Sequence, residues 1–422
     1  MDTYEIHFNK AAREVDPEQF KAFINALKAN DYTDLIVLSH GWNNNIEDAR
    51  KLYEGLLEKI SKAINAKGKD GKRFASLNVF WPSKQFTDRE LIPGNAASMG
   101  DLDEQETQQL ALSWAGIQDV FDEPAETETF EKILLAIQQN GDEDILAREF
   151  SKLLKITRPE QENSPFESLK EDDVKTFLQD GSIPYLETQS TDGGAASIAD
   201  PATQAGQAMG LFSGLKQGVA NLMNLATYYK MKNRAGEIGA ALNLKLSEIK
   251  KISPAINFHL VGHSFGARLV TSALSGPEQI KAKTLALIQA AFSHYAFASK
   301  YDEQNDGFFR SVLTENKVSG ALLITHTRAD RAVGLAYALA SRLGGQQASD
   351  IGDKDSLYGG LGGNGAQKTP GISNSIALKQ AAETNHFQAG KTYNLLSDNI
   401  IGGHSDIIKD EVGSALVNAF YL

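Results

Sequence analysis

Two hydrophobic rhythms alternate along this chain. Short, nearly continuous apolar runs occur at residues 34–39, 77–81, 257–261, 284–290, 321–325 and 393–396. Their length and their Val, Ile and Leu content predict strands buried on both faces. Between them, apolar residues recur every three or four positions at 46–66, 235–251, 267–274 and 407–420, which predicts amphipathic helices. Strands alternating with helices imply an α/β fold: a mostly parallel sheet covered by helices on both faces. In such a sheet, functional groups belong at the carboxyl ends of the strands.

The alternation breaks between residues 86 and 230. Here short helical patterns (130–138 and 145–154) are separated by loop-like runs such as Glu160-Gln161-Glu162-Asn163-Ser164-Pro165 and Thr191-Asp192-Gly193-Gly194. Charge concentrates in the same place. Residues 101–200 hold 24 Asp or Glu against 7 Lys or Arg, about −17, which leaves the remainder of the chain near +5. Residues 1–85 and 231–422 are therefore expected to form the core, and 86–230 an acidic, mainly helical insertion or cap. Within it Gly206, Gly210, Gly214 and Gly218 recur every fourth position, beside Met209, Leu211, Phe212, Leu222 and Met223. This stripe suits close helix packing, or else a lipid-contacting lid or membrane-seeking helix. A second glycine-rich stretch, 344–371, reads as a long active-site or surface loop.

Composition narrows the function. A chain of 422 residues, 41% hydrophobic and 23% charged, suits a globular protein with one large domain or two. The net charge of −12 and the lack of a basic patch argue against a nucleic-acid partner. With no cysteine, disulfides, thiolate metal sites and a cysteine nucleophile are excluded. No apolar run approaches the roughly 18 residues that cross a bilayer, and Met1-Asp2-Thr3-Tyr4-Glu5 shows no signal-peptide pattern. A cytoplasmic location is expected, with signal-independent export also compatible.

The chemistry centres on Gly262-His263-Ser264-Phe265-Gly266, where an apolar strand runs directly into a helical pattern. This strand–turn–helix setting can lift a serine out as a nucleophile, its flanking glycines leaving room for the sharp turn. A serine hydroxyl needs a base, the base an orienting acid, and the developing oxyanion preset donors. His404, in the loop after the last strand, is the candidate base, and Asp330, just past the preceding strand, the candidate acid. Asp350, Asp353, Asp355 and Asp398 are the rival acids. His259, inside the nucleophile strand, is expected to be a core histidine, and His263 is the variable residue of the turn. The oxyanion hole is expected from the backbone N–H groups of Phe265 and Trp42. Gly41 would let the backbone approach the substrate and His40 would order the turn by hydrogen bonding. No metal or cofactor is expected: His259 and His263 are the one His-x-x-x-His pair, and extended chain separates them by roughly 13 Å, too far for one ion.

In the order His40-Gly41-Trp42, Gly262-x-Ser264-x-Gly266, Asp330 and His404, the chain resembles the α/β-hydrolase superfamily. His40-Gly41-Trp42-Asn43-Asn44 and Trp81-Pro82-Ser83 resemble a bacterial branch of largely uncharacterised serine hydrolases within it. The resemblance covers roughly residues 30–84 and 235–420. It implies an α/β-hydrolase fold and hydrolysis of a carboxylic ester, esterase- or lipase-like, through an acyl-enzyme on Ser264. In one respect the chain departs from the pattern: its large insertion precedes the nucleophile strand, whereas many members carry their cap after the following strand. The expected partner is a small-molecule or lipid ester. Two alternatives stand beside this: a phospholipase-type toxin acting at a membrane surface, and a non-catalytic binding protein on the same scaffold.

Overall fold

The computed structural model describes residues 1–68, 71–83, 117–139, 142–158, 169–180, 213–330, 359–372, 375–383 and 386–422. Eight strands are present among them: β1 (Asp2–His7), β2 (Asp34–Ser39), β3 (Phe74–Phe80), β4 (Asn257–His263), β5 (Thr284–Ile288), β6 (Ala321–His326), β7 (Ile376–Ala377) and β8 (Lys391–Leu396). They form one sheet in the order β1-β3-β2-β4-β5-β6-β8-β7, parallel throughout. Each of the six apolar runs in the sequence falls on a strand, two of them reading one or two residues past its end. The two strands without such a run are at the edges: β1 buries only Ile6 fully, and β7 has two residues. An edge strand with one face open to water carries no continuous apolar signal.

The helices of the core are α1 (Pro17–Ala29) and α2 (Ile46–Lys67), then, after the insertion, α7 (Phe265–Ser275), α8 (Arg310–Thr314), α9 (Leu361–Asn364), α10 (Leu378–Glu383) and α11 (Asp410–Phe420). On one face of the sheet, Tyr53 and Ile60 of α2 and Leu416 and Phe420 of α11 pack on Ile36, Leu38, Val261 and Leu323. On the other, Phe23 of α1 and Leu269 of α7 pack on Leu35, Leu260 and Leu285. Both faces of the central strands are thus dry, as their apolar runs require.

The insertion contributes α3 (Pro124–Gln138), α4 (Glu143–Thr157), α5 (Glu171–Asp180) and α6 (Ser213–Ile252). Helix α6 has 40 residues, roughly 60 Å of axis, and the division expected at residue 230 falls inside it. Its later half lies on the sheet, with Ile238, Leu242 and Leu246 in the core that holds Leu269. Its earlier half packs on the insertion. A Cβ on Gly218 would sit 2.8 Å from the Leu178 Cα, so this glycine of the expected stripe serves close helix contact. Gly206 and Gly210 lie outside the described residues.

Charged groups hold the two halves at the join. Arg234, 2% exposed, donates to the Asp122 carboxylate (3.1 Å), the Val120 carbonyl (3.1 Å) and the Pro82 carbonyl just past β3 (3.3 Å). Lys230 bridges Asp122 and Glu126, 2.7 Å from each. Burial would lower the Lys230 pKa, but these two carboxylates outweigh it and raise it. Among the described residues, no helix is long and apolar enough to cross a membrane.

Candidate active site

Strand β4 ends in a sharp turn at Ser264. Ser264 has φ 56° and ψ −124°, backbone that costs a non-glycine residue about 1–3 kcal/mol. The surroundings enforce it. Its N–H donates to the Ile288 carbonyl (3.1 Å), and its own carbonyl accepts from Ala267 (3.1 Å) and Ala291 (3.3 Å). A Cβ on Gly262 would lie 2.5 Å from the Ala267 Cα, and one on Gly266 would be 2.6 Å from the Ser39 carbonyl carbon. These glycines let helix α7 start against the neighbouring strand β2.

Three loops at the carboxyl ends of strands meet at this serine. His404, after β8, places Nε2 2.8 Å from Ser264 Oγ. Its Nδ1 lies 2.9 and 3.0 Å from the two oxygens of Asp330, after β6. A carboxylate only accepts, so Nδ1 carries the proton there and Nε2 presents its lone pair to the serine hydroxyl. Asp330 is held in turn: Gln289 Nε2 donates to Oδ2 (2.9 Å) and to the Gly362 carbonyl (3.1 Å). A Cβ on Gly362 would be 2.7 Å from Asp330 Oδ2, so α9 closes tightly over the carboxylate.

The turn after β2 uses each residue of His40-Gly41-Trp42-Asn43-Asn44-Asn45 differently. The buried His40 donates from Nδ1 to the Gly41 carbonyl (2.9 Å) and accepts at Nε2 from the Trp81 N–H (3.3 Å). Its ring stacks on Trp81, and burial pushes its pKa down to about 4. It is neutral and structural, as expected for a residue that orders the turn. Gly41 lies against Ser264: a Cβ there would be 2.6 Å from the serine Cβ. Asn43 takes φ 60°, which asparagine tolerates. Asn44 Nδ2 donates to the carbonyls of Gly41 and Trp42, both 3.1 Å. Asn45 caps α2 by a reciprocal bond pair with Asp48. Ser83 of Trp81-Pro82-Ser83 locks this turn from the next loop: its hydroxyl donates to the Asn44 carbonyl (3.0 Å) and its carbonyl accepts from the Asn43 N–H (3.0 Å).

Three neighbours of the site were not singled out for it by sequence. His263 donates from Nε2 to the backbone carbonyl of His404 (2.9 Å); burial and the nearby His404 push its pKa down to about 3. Its place beside Ser264 in the turn was the available signal. Gln289 takes φ 45° immediately after β5, and an apolar run reading through residue 290 concealed it. Tyr228 comes from the insertion side, its ring 4.8 Å from that of Phe265, a contact that only tertiary packing creates. Of the rival acids, Asp398 accepts from the Arg328 N–H (3.0 Å), while Asp350, Asp353 and Asp355 lie outside the described residues. His259 is a core histidine, bonded to Asp34 (2.9 Å) and Thr284 (3.0 Å) at the opposite end of its strand from Ser264.

These loops surround the point where the strand order turns. Strand β2 connects to β3 on one side and β4 to β5 on the other, which opens a crevice at their carboxyl ends. Among the described residues no three His, Asp or Glu side chains gather as metal ligands would. What the geometry offers is a hydroxyl, an imidazole and a carboxylate in series, beside the first turn of a helix. The fold defines an α/β protein with a single all-parallel eight-stranded sheet. No family model matches the chain, and no curated protein or solved structure matches it.

Proposed function

We propose that the protein is a serine hydrolase of the α/β-hydrolase fold that cleaves a carboxylic ester through an acyl-enzyme. Ser264 Oγ attacks the ester carbonyl carbon while His404 Nε2 takes the hydroxyl proton. The new oxyanion is held by the N–H groups of Trp42 and Phe265. Phe265 opens α7, where the first N–H groups have no intrahelical acceptor and the helix dipole favours negative charge. Collapse of the intermediate breaks the C–O bond to the alcohol, which leaves with the proton from His404. Water then adds to the acyl-enzyme, again giving its proton to His404, and the acid departs as Ser264 recovers its own. Asp330 holds the imidazole tautomer and steadies the imidazolium in both halves.

One observation carries this reading: the unbroken series from Asp330 through His404 to a serine at φ 56°. Short p-nitrophenyl esters should be hydrolysed, and a fluorophosphonate probe should label Ser264. Ser264→Ala should lose labelling and at least about a thousandfold in kcat. Hydrolysis that persists in a well-folded Ser264→Ala protein rules the proposal out.

A further inference from the structure

The insertion side of the site contains polar groups that the proposed chemistry does not use. Tyr228 of α6 packs its ring 4.8 Å from Phe265 and 6.3 Å from Trp42. Its hydroxyl donates to the Ala291 carbonyl (3.2 Å), and the Ala291 N–H donates to the Ser264 carbonyl (3.3 Å). The aromatic cluster is therefore two hydrogen bonds from the nucleophile. Asn224 lies one turn before Tyr228 on α6, on the same helix face. It is 4% exposed, and its Nδ2 has no hydrogen-bond partner among the described residues. The indole Nε1 of Trp42, across the same cluster, is likewise buried and unpartnered, and the Asn43 Oδ1 next to it is too.

A buried donor left unpaired costs about 1–3 kcal/mol, and protein interiors contain few of them. Here one donor lies one helical turn from Tyr228 and the other belongs to a ring packed against it, in the cluster that includes Phe265, the residue after Ser264. Resting on the hydrolase reading above, we infer that Asn224 Nδ2 and Trp42 Nε1 receive a hydrogen-bond acceptor of the substrate. The substrate is then an ester with an additional oxygen (ether, hydroxyl or carbonyl) close to the scissile group, and a plain aliphatic ester is a poor one. An oxygen-bearing ester pairs donors that an aliphatic chain would leave unpaired, which is how a site rejects an isostere lacking one polar atom.

Isosteric pairs test this in the full-length protein. On the acyl side, p-nitrophenyl hexanoate is compared with the 3-ethoxypropanoate and the 4-methoxybutanoate; on the alcohol side, pentyl hexanoate with 2-ethoxyethyl hexanoate. Each pair exchanges one CH2 for oxygen. In at least one arm kcat/KM should favour the oxygenated ester about tenfold, and the responding arm identifies the side of the ester that is read. Asn224→Leu should bring that ratio close to one, and Asn224→Asp, which keeps the size but replaces donors with acceptors, should bring it to one or below. The inference is overturned if no oxygenated ester exceeds its isostere in the wild type, or if the preference survives both substitutions. Failure of the hydrolase reading looks different: the wild type then neither takes up fluorophosphonate nor hydrolyses any of the five esters.

Discussion

His263 shows how much one side chain next to Ser264 can govern. Its Nε2–H holds the backbone of His404, so on the proposed mechanism it acts on the base through position. His263→Phe keeps the ring and removes the donor. It should lower kcat by roughly ten- to a hundredfold, since small misplacements of a catalytic group are costly, and leave KM little changed. Steady-state kinetics with a p-nitrophenyl ester separates the two parameters. His263 and His40 also give the fold a pH dependence. Both rings are buried neutral, with pKa values near 3 and 4, whereas an unfolded histidine titrates near 6.5. Between these values the unfolded chain takes up protons that the folded chain refuses. Stability is therefore full above about pH 6.5 and declines as pH falls toward 4. Urea midpoints measured from pH 7.5 to 4.5 should follow this, with a shallower decline in His263→Phe. At this scale the sequence was legible where chemistry dictates residue type, at Ser264, Asp330, His404 and Gly41. It was opaque where a residue acts by reaching across the fold, as Gln289 and Tyr228 do.

Among the elements, α6 is the one that pattern reading divided and the structure joined. Its later half has a regular apolar face, whereas residues 221–232 in its earlier half are all buried. A helix buried on all sides has no periodic stripe to read, so only residues 235–251 stood out. The join at Arg234 is correspondingly sensitive. Arg234→Ala leaves Asp122 short of a partner and strips two backbone carbonyls of a donor. It should cost about 3–5 kcal/mol, read from the urea unfolding midpoint, and should speed proteolytic cleavage of the insertion before the sheet unfolds. Gly218→Val should destabilise the same region, because its side chain would meet the backbone of Leu178. The short edge strands illustrate the converse. Strand β1 pairs along its whole length with β3, yet its polar, half-exposed residues look like loop.

At the level of the whole molecule, an all-parallel sheet brings widely separated segments to one rim. Residues from the turns after β2, β4, β6 and β8 meet at Ser264 because parallel strands all end on the same side. That much followed from the alternation of apolar strands and helices. The content of the acidic insertion did not: its short helices share one continuous core with the sheet, with Phe150, Leu154 and Leu222 in the same cluster as Leu269 and Leu285. Acidic composition marked the segment as separate, while its buried apolar residues attach it.

The bond from Arg234 to the Pro82 carbonyl has a further consequence. The guanidinium N lies 3.3 Å from that carbonyl oxygen, so the Arg234 side chain clasps the two ends of the segment between residues 82 and 234. Ser264, His404 and Asp330 lie outside that segment in sequence, and Asn224 and Tyr228 within it. On the proposed reading, bond-breaking and substrate choice therefore fall to different stretches of the chain. On that reading, sequence changes confined to residues 84–230 would leave Ser264 in place and alter the ester it is given.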